Sequence, residues 1–264
     1  MTGLAKAPRT GPRAAARDAL IMTGRNLTVL VRLPQLIVFA TIQPILFVLM
    51  FRYVFGGAID VPGVAYVNYL MPGIFAQTMA FGAINTGIGL SEDLAKGLVD
   101  RFRTLPMARS AVLAGRTLAY LFRNVGVVAL MVAMGYLVGF RVQTNALALL
   151  AAVLVLLLFG FALSWVFALL GLSVPNAESA QAASFPLLFP LVFASSAFVP
   201  TATMPGPLRA FAEHQPVTAA VDAVRALVLG GPTLSPVLTS VAWSVGIFAV
   251  AAPLAVARYR RATA

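Results

Sequence analysis

Charged residues in this chain fall far apart, and the gaps between them decide what it can become. Six uncharged runs, 33–51, 61–91, 124–140, 142–177, 179–208 and 226–257, lie between charged positions. A helix that crosses the hydrocarbon core needs roughly 20 mostly apolar residues, with a range of about 17–25. Each run reaches that lower limit, and none holds two crossings plus a comfortable loop. Only 10% of the 264 residues are charged and 60% are hydrophobic, against about 25% charged in soluble domains. The expected fold class is an all-α polytopic membrane protein with six spans, at about 34–55, 65–90, 119–140, 146–173, 181–199 and 234–257.

Basic residues near the spans set the orientation. Lys6, Arg9, Arg13, Arg17, Arg25 and Arg32 precede the first span, Lys96, Arg101, Arg103, Arg109, Arg116 and Arg123 follow the second, and Arg258, Arg260 and Arg261 end the chain. Against these fifteen stand Arg52, Arg141, Arg209 and Arg225. Both termini and the 91–123 loop are therefore expected on the cytoplasmic side of a cell membrane. The net charge of +11 fits this bias and anionic headgroups better than nucleic acid, and no nucleic-acid partner is expected.

Several chemistries are excluded or weakened by what is missing. Without cysteine there is no disulfide, thiol nucleophile or thiolate metal site. The first 32 residues carry no apolar stretch of signal-peptide type, so the first span is expected to act as the insertion signal. The two lysines, Lys6 and Lys96, do not follow a G-x-x-x-x-G-K-[ST] phosphate loop. The lone His214 beside Pro216 reads as a turn residue rather than a catalytic base. The uncharged runs offer no intramembrane carboxylate for a proton or cation relay, and no 20–50-residue repeat is visible. The chain is not expected to be an enzyme, and no catalytic or metal-binding residue is assigned.

Local patterns refine the organisation. Residues 1–33 form a cytoplasmic arm in which Leu20, Leu27 and Val31 share one helical face and Arg17, Arg25 and Arg32 the opposite one. This is the pattern of an amphipathic helix lying on membrane lipid; a solvated stop before the first span is the competing reading. Residues 34–257 are the transmembrane domain and 258–264 a cytoplasmic tail. Arg123 is placed to snorkel from the cytoplasmic end of span 3, and Pro186 and Pro190 to kink span 5. Before span 6, Val217, Val221, Val224 and Val228 repeat at helical spacing with Asp222 and Arg225 turned away, after Pro216 and before Gly230-Gly231-Pro232. That predicts a short external helix dipping into the outer leaflet.

The segment "SEDLAKGLVDRFRTLPMARSAVLAGRT", 91–117, concentrates charge between two apolar stretches. Glu92, Lys96 and Asp100 ladder along one helix face and Leu94, Leu98 and Phe102 along another. Glu92 and Asp93 fit the first turn of a helix, Pro106 ends it, and a second short helix starts near Ala108. Apolar knobs among mixed charges suit a soluble protein partner better than headgroups, which would reward basic residues alone. A self-packed connector is the competing reading.

This string resembles the segment between the second and third spans of type-2 ATP-binding-cassette exporter permeases, in particular their DrrB-like drug-resistance branch. The acidic pair, "RFRTLP" and "ARSAVLAGR" recur there in this order, and "HQPVTAAVDAVRALVLGGP" at 214–232 resembles the branch's external segment. The resemblance covers nearly the whole chain. It implies that 91–105 is the coupling helix that docks on a nucleotide-binding ATPase subunit, with Glu92, Asp93, Asp100, Arg101, Arg103, Pro106 and Arg109 matching the motif; the apolar face of Leu94, Leu98 and Phe102 completes the expected coupling residues. It also implies that ATP and Mg²⁺ bind that partner and not this chain, and that a second permease subunit, identical or not, completes the unit.

Two stripes are candidates for a substrate path. Gln77, Phe81 and Asn85 repeat at i, i+4, i+8 in span 2, as do Phe185, Phe189 and Phe193 in span 5. The family lines its cleft largely with these two spans, which implies a hydrophobic small-molecule or lipid cargo. Interhelical packing or lipid contact is the competing reading for each residue. Two readings from other classes remain: a membrane scaffold or assembly factor that moves nothing, and an ion-coupled carrier.

Overall fold

The structure, a computed structural model, describes residues 24, 34–54, 56, 59, 61, 63–95 and 109–262, with side chains from 42 in the first helix, from 118 in the third and to 261 in the last. The amphipathic arm helix and Lys96, Leu98, Asp100, Arg101, Phe102, Arg103 and Pro106 lie outside the described residues. Among those described, eight α-helices and no strand are present: α1 (Pro34–Leu49), α2 (Tyr66–Ala95), α3 (Arg109–Leu137), α4 (Ala146–Gly171), α5 (Ala177–Phe193), α6 (Gly206–Glu213), α7 (Pro216–Leu229) and α8 (Leu234–Ala262). In hydrocarbon every backbone polar group must be met within its own segment, which is why runs this apolar become helices.

Three described helical stretches are long and apolar enough to cross a membrane: Leu118–Leu137, Ala146–Gly171 and Leu234–Arg261. The other expected spans differ for identifiable reasons. In α1, whose side chains are described from 42, the stretch Ile42–Val54 is apolar, and the helix that starts at Pro34 passes at Met50 into a π-helical turn that ends at Val54. The 17-residue α5 is short and contains Pro186 and Pro190, each lacking a backbone donor. In α2, 30 residues long, the polar residues Gln77, Thr78, Asn85 and Thr86 dilute the apolar ones. It tolerates them because it is the central helix, with every residue from Tyr66 to Ala80 buried.

Helix ends follow local chemistry. Asn145 and Asn176 cap α4 and α5, each side chain accepting a backbone N–H at 2.8 Å, from Ala148 and Ser179 respectively. Such caps satisfy donors the first turn leaves open. Pro216 occupies the first turn of α7, Gln215 caps it, and Gly230 at φ +94° ends it. α2 packs most extensively on α4, and they meet where Gly87 faces the backbone of Phe167 and of Gly171. A Cβ on Gly87 would collide with the Phe167 carbonyl, so small residues set the approach, as is common between membrane helices.

The core surrounds α2, with Phe75, Phe140, Phe159 and Phe167 deep inside it. A second cluster joins Leu90, Trp165, Ala168 and Leu172 to Ala251, Ala255 and Tyr259 of α8.

Two expectations need correction. Residues 109–117 are no separate short helix: α3 runs from Arg109 to Leu137 without a break, because extending a helix is easier than nucleating another. Glu92 and Asp93 do not open a helix either. They lie near the far end of α2, so the first-turn dipole argument does not apply to them. Beyond span 6, α8 continues through residues 258–262, and Tyr259 is buried.

The short helix before span 6 forms as expected, with Val217, Val221, Val224 and Val228 all buried. Its polar side is not turned away. α7 packs among α2, α4 and α8, and Arg225 reaches inward. A further helix, α6, was not anticipated; His214 caps its end, its Nδ1 2.9 Å from the Ala210 carbonyl.

Candidate functional site

Pro44 of α1, Gly82 of α2 and Arg123 of α3 converge. Between α1, α2 and α3 lies an open cleft. All three residues of the first expected stripe line it. Gln77 is buried, Phe81 half-buried and Asn85 exposed at the mouth with Gln43. Helical spacing alone put these three on one face; the fold turned that face to a cavity.

The second stripe only partly joins them. Phe185 and Phe81 approach with ring centroids 6.1 Å apart. Phe189 and Phe193 instead enter an aromatic column. Phe189 stacks on Phe193 at 4.2 Å, Phe193 on Phe198 at 5.2 Å and Phe198 on Phe51 at 4.6 Å. Phe47 lies 5.9 Å from Phe51 and lines the cleft, so the column returns to it. Offset stacking at these separations contributes about 0.5–1.5 kcal/mol per pair beyond burial. Phe185 and Phe189 remain 44% and 51% exposed, available to lipid, cargo or another copy.

The far wall comes from α3. Tyr120 donates its hydroxyl to the Met79 carbonyl at 2.6 Å, passing beside Gly160, whose missing side chain leaves it room. This contact ties α3 to α2 and directs the following turn into the cleft. Arg123 does not snorkel outward: its Nη2 lies 3.4 Å from the Gly82 carbonyl and its guanidinium 5.8 Å from the centre of the Tyr120 ring. Asn85 donates to the same carbonyl at 3.2 Å. Asn124, beside Arg123, is 1% exposed. Gln43, Phe47, Gly82, Arg123 and Asn124 were not assigned to the path from sequence. The available signal was a charged residue inside an apolar stretch, which normally faces a bundle interior.

Of the expected coupling residues, the described ones are Glu92, Asp93, Leu94 and Arg109. Glu92, Asp93 and Leu94 are half-buried, Leu94 against the Leu90–Trp165 cluster, and Arg109 starts α3.

At the other end of the bundle Arg225 builds a clasp. Its Nη1 donates to Asp222 at 2.7 Å, its Nη2 to the Ser196 and Tyr69 carbonyls at 2.8 and 3.3 Å, and its plane lies 3.8 Å over the Tyr69 ring. Ser196 donates to Asp222 at 2.8 Å and Tyr69 to the Ser196 carbonyl at 3.0 Å. Outside the bundle, the Arg209 guanidinium, 2.7 Å away, holds the Glu213 carboxyl below the usual range.

Among the described residues, no group of three His, Cys, Asp or Glu side chains is placed to hold a metal. An aromatic-walled cleft with a few polar groups in a helical membrane bundle defines a class: a membrane protein with a candidate binding cleft. The comparisons narrow that class. Residues 17–229 match the model of the ABC-2 type transporter family. The chain is 35% identical over its full length, and 93% of the relative's, to a protein of Streptomyces coeruleorubidus named daunorubicin resistance ABC transporter permease protein DrrB1. It is 31% identical, over 96% of its own length and 93% of the relative's, to the probable doxorubicin resistance ABC transporter permease protein DrrC of Mycobacterium tuberculosis. A putative transport permease of Porphyra purpurea, ycf38, is 24% identical over 74% of this chain and 68% of its own length. The chain belongs to the ABC-2 type transporter family, in its DrrB-like branch, and is an integral membrane permease subunit of an ABC exporter.

Proposed function

We propose that this permease carries a hydrophobic compound, a drug, antibiotic or lipid, out of the cytoplasm or inner leaflet, driven by a separate ATPase subunit that holds ATP and Mg²⁺. The observation that carries the cargo reading is the cleft: Phe47 and Phe81 offer apolar faces beside the amides of Gln43, Gln77 and Asn85, a lining suited to an amphiphile. The names of the two bacterial relatives, daunorubicin and doxorubicin resistance proteins, point the same way.

The domain of six spans, 34–257, works as a pair, identical or mixed, with both termini cytoplasmic. α1, α2 and α5 supply the spans that length and apolarity alone leave open. The arm 1–33 lies on the inner membrane surface. Residues 91–105 with Pro106 and Arg109 dock on the ATPase, Phe102 serving as anchor, because interface energy concentrates in a few buried aromatic or arginine residues. Closure of the ATP-bound motors then pushes on α2 and α3, which the coupling segment joins and which line the cleft.

The test is co-purification with the ATPase followed by cargo-stimulated ATP hydrolysis. Phe102→Ala is expected to insert normally, to lose about 2 kcal/mol or more of affinity, roughly 30-fold, and to lose export with it. A Phe102→Ala chain that keeps its partner and its coupled hydrolysis would remove the anchor assignment.

A further inference from the structure

The α1–α2–α3 cleft holds polar groups that the protein around it leaves unmet. The Nε of Arg123 has no acceptor, nor does the buried Nδ2 of the adjacent Asn124, and the Gln77 Oε1 has no donor. No acidic side chain pairs with Arg123 among the described residues, and its bond to Gly82 is long, at 3.4 Å. Each unmet buried donor costs roughly 1–3 kcal/mol, and a charged one more. Water would satisfy an amide but would not neutralise a guanidinium.

Depth selects the occupant. Arg123 stands seven residues past Arg116, the preceding charge, in the unbroken helix α3, hence about 10 Å further along it at 1.5 Å per residue. A long basic side chain at that depth reaches the headgroup layer, yet this one turns into a cleft walled by Phe47, Phe81 and Val127. A guanidinium fork with a neighbouring amide N–H matches a phosphoryl oxyanion, which accepts two parallel bonds from arginine. The carboxamide of Gln77 presents either its NH₂ or its carbonyl, since the two ends exchange by a flip.

We propose that this cleft seats the phosphate of a membrane phospholipid, held by Arg123 and Asn124, with an acyl chain along Phe47, Phe81 and Val127. The site does not depend on the cargo reading, because a lipid binds here whether or not the chain exports anything.

Native mass spectrometry of the full-length permease in detergent tests it, with phosphatidylglycerol as probe and diacylglycerol of the same chains as the phosphate-free control. Phosphatidylglycerol is expected to bind at least about tenfold more tightly than diacylglycerol, the loss of one charge-assisted contact being worth that much. Arg123→Gln should abolish that preference, Arg123→Lys should keep only the part due to charge, and Asn124→Ala should lower it severalfold. Should Arg123→Gln fail to fold, the lysine and Asn124→Ala variants still decide, since a site that does not read phosphate would leave the preference unchanged in Asn124→Ala. Equal binding of the two lipids, or an unchanged preference in a folded Arg123→Gln, would overturn the proposal. Displacement of the lipid by millimolar inorganic phosphate would assign the site to a soluble anion and overturn the lipid.

Discussion

Arg225 and Arg123 are the same side chain in the same apolar bundle, yet the fold treats them in opposite ways. Around Arg225 a carboxylate, two carbonyls and an aromatic face are gathered, leaving only its Nε without a partner. Around Arg123 one shared carbonyl at 3.4 Å is the sole acceptor among the described residues. Met charges lock elements together; unmet ones wait for something else. The clasp fastens α7 to α2 and to the turn after α5, so it belongs to the architecture. The cleft arginine belongs to what binds there.

The largest expected effect breaks the clasp. Arg225→Ala leaves Asp222 and the Ser196 carbonyl without their cationic donor, and should cost about 2–4 kcal/mol. The upper end is discounted because the Asp222 side chain is 44% exposed. Thermal unfolding of the purified permease reads this as a lowered midpoint, and lysine restores only part, having no planar fork to span several acceptors.

Arg123→Met provides the contrast. Replacing an unpaired buried cation by an apolar side chain of similar length should leave lipid-free stability within about 1 kcal/mol of wild type, or raise it. The same unfolding measurement decides, and a loss as large as that of Arg225→Ala would erase the distinction between the two sites.

The smallest effect belongs to the exposed Arg209–Glu213 pair. The folded pKa of Glu213 is lowered, chiefly by its hydrogen bond to Arg209. Any stability it adds is therefore present above the ordinary carboxylate pKa and is lost as pH falls through the lowered value. Solvent screens such a pair, so Arg209→Ala should unfold at the wild-type midpoint at neutral pH. Melting curves at neutral and acid pH check this; a clear difference at neutral pH alone would make the pair structural.

Much of the architecture follows from the sequence alone. Charge spacing gives a helical membrane protein, since uncharged runs of that length have no other stable state in lipid. Pro216, the valine spacing and Gly230 place α7 nearly to the residue, because caps and periodicity act locally. The match of "RFRTLP" and its surroundings identified the permease branch without any coordinates. Tertiary structure decided where faces point. Periodicity shows that Gln77, Phe81 and Asn85 share a side but not which neighbour that side meets. The same pattern of valines opposite Asp222 and Arg225 suits lipid with polar groups outward, or a bundle with a polar clasp inside. The choice rested on Tyr69 and Ser196, more than twenty residues away along the chain and adjacent only after packing. Whether each arginine finds its acceptors is likewise a matter of distance between helices, which no single helix encodes.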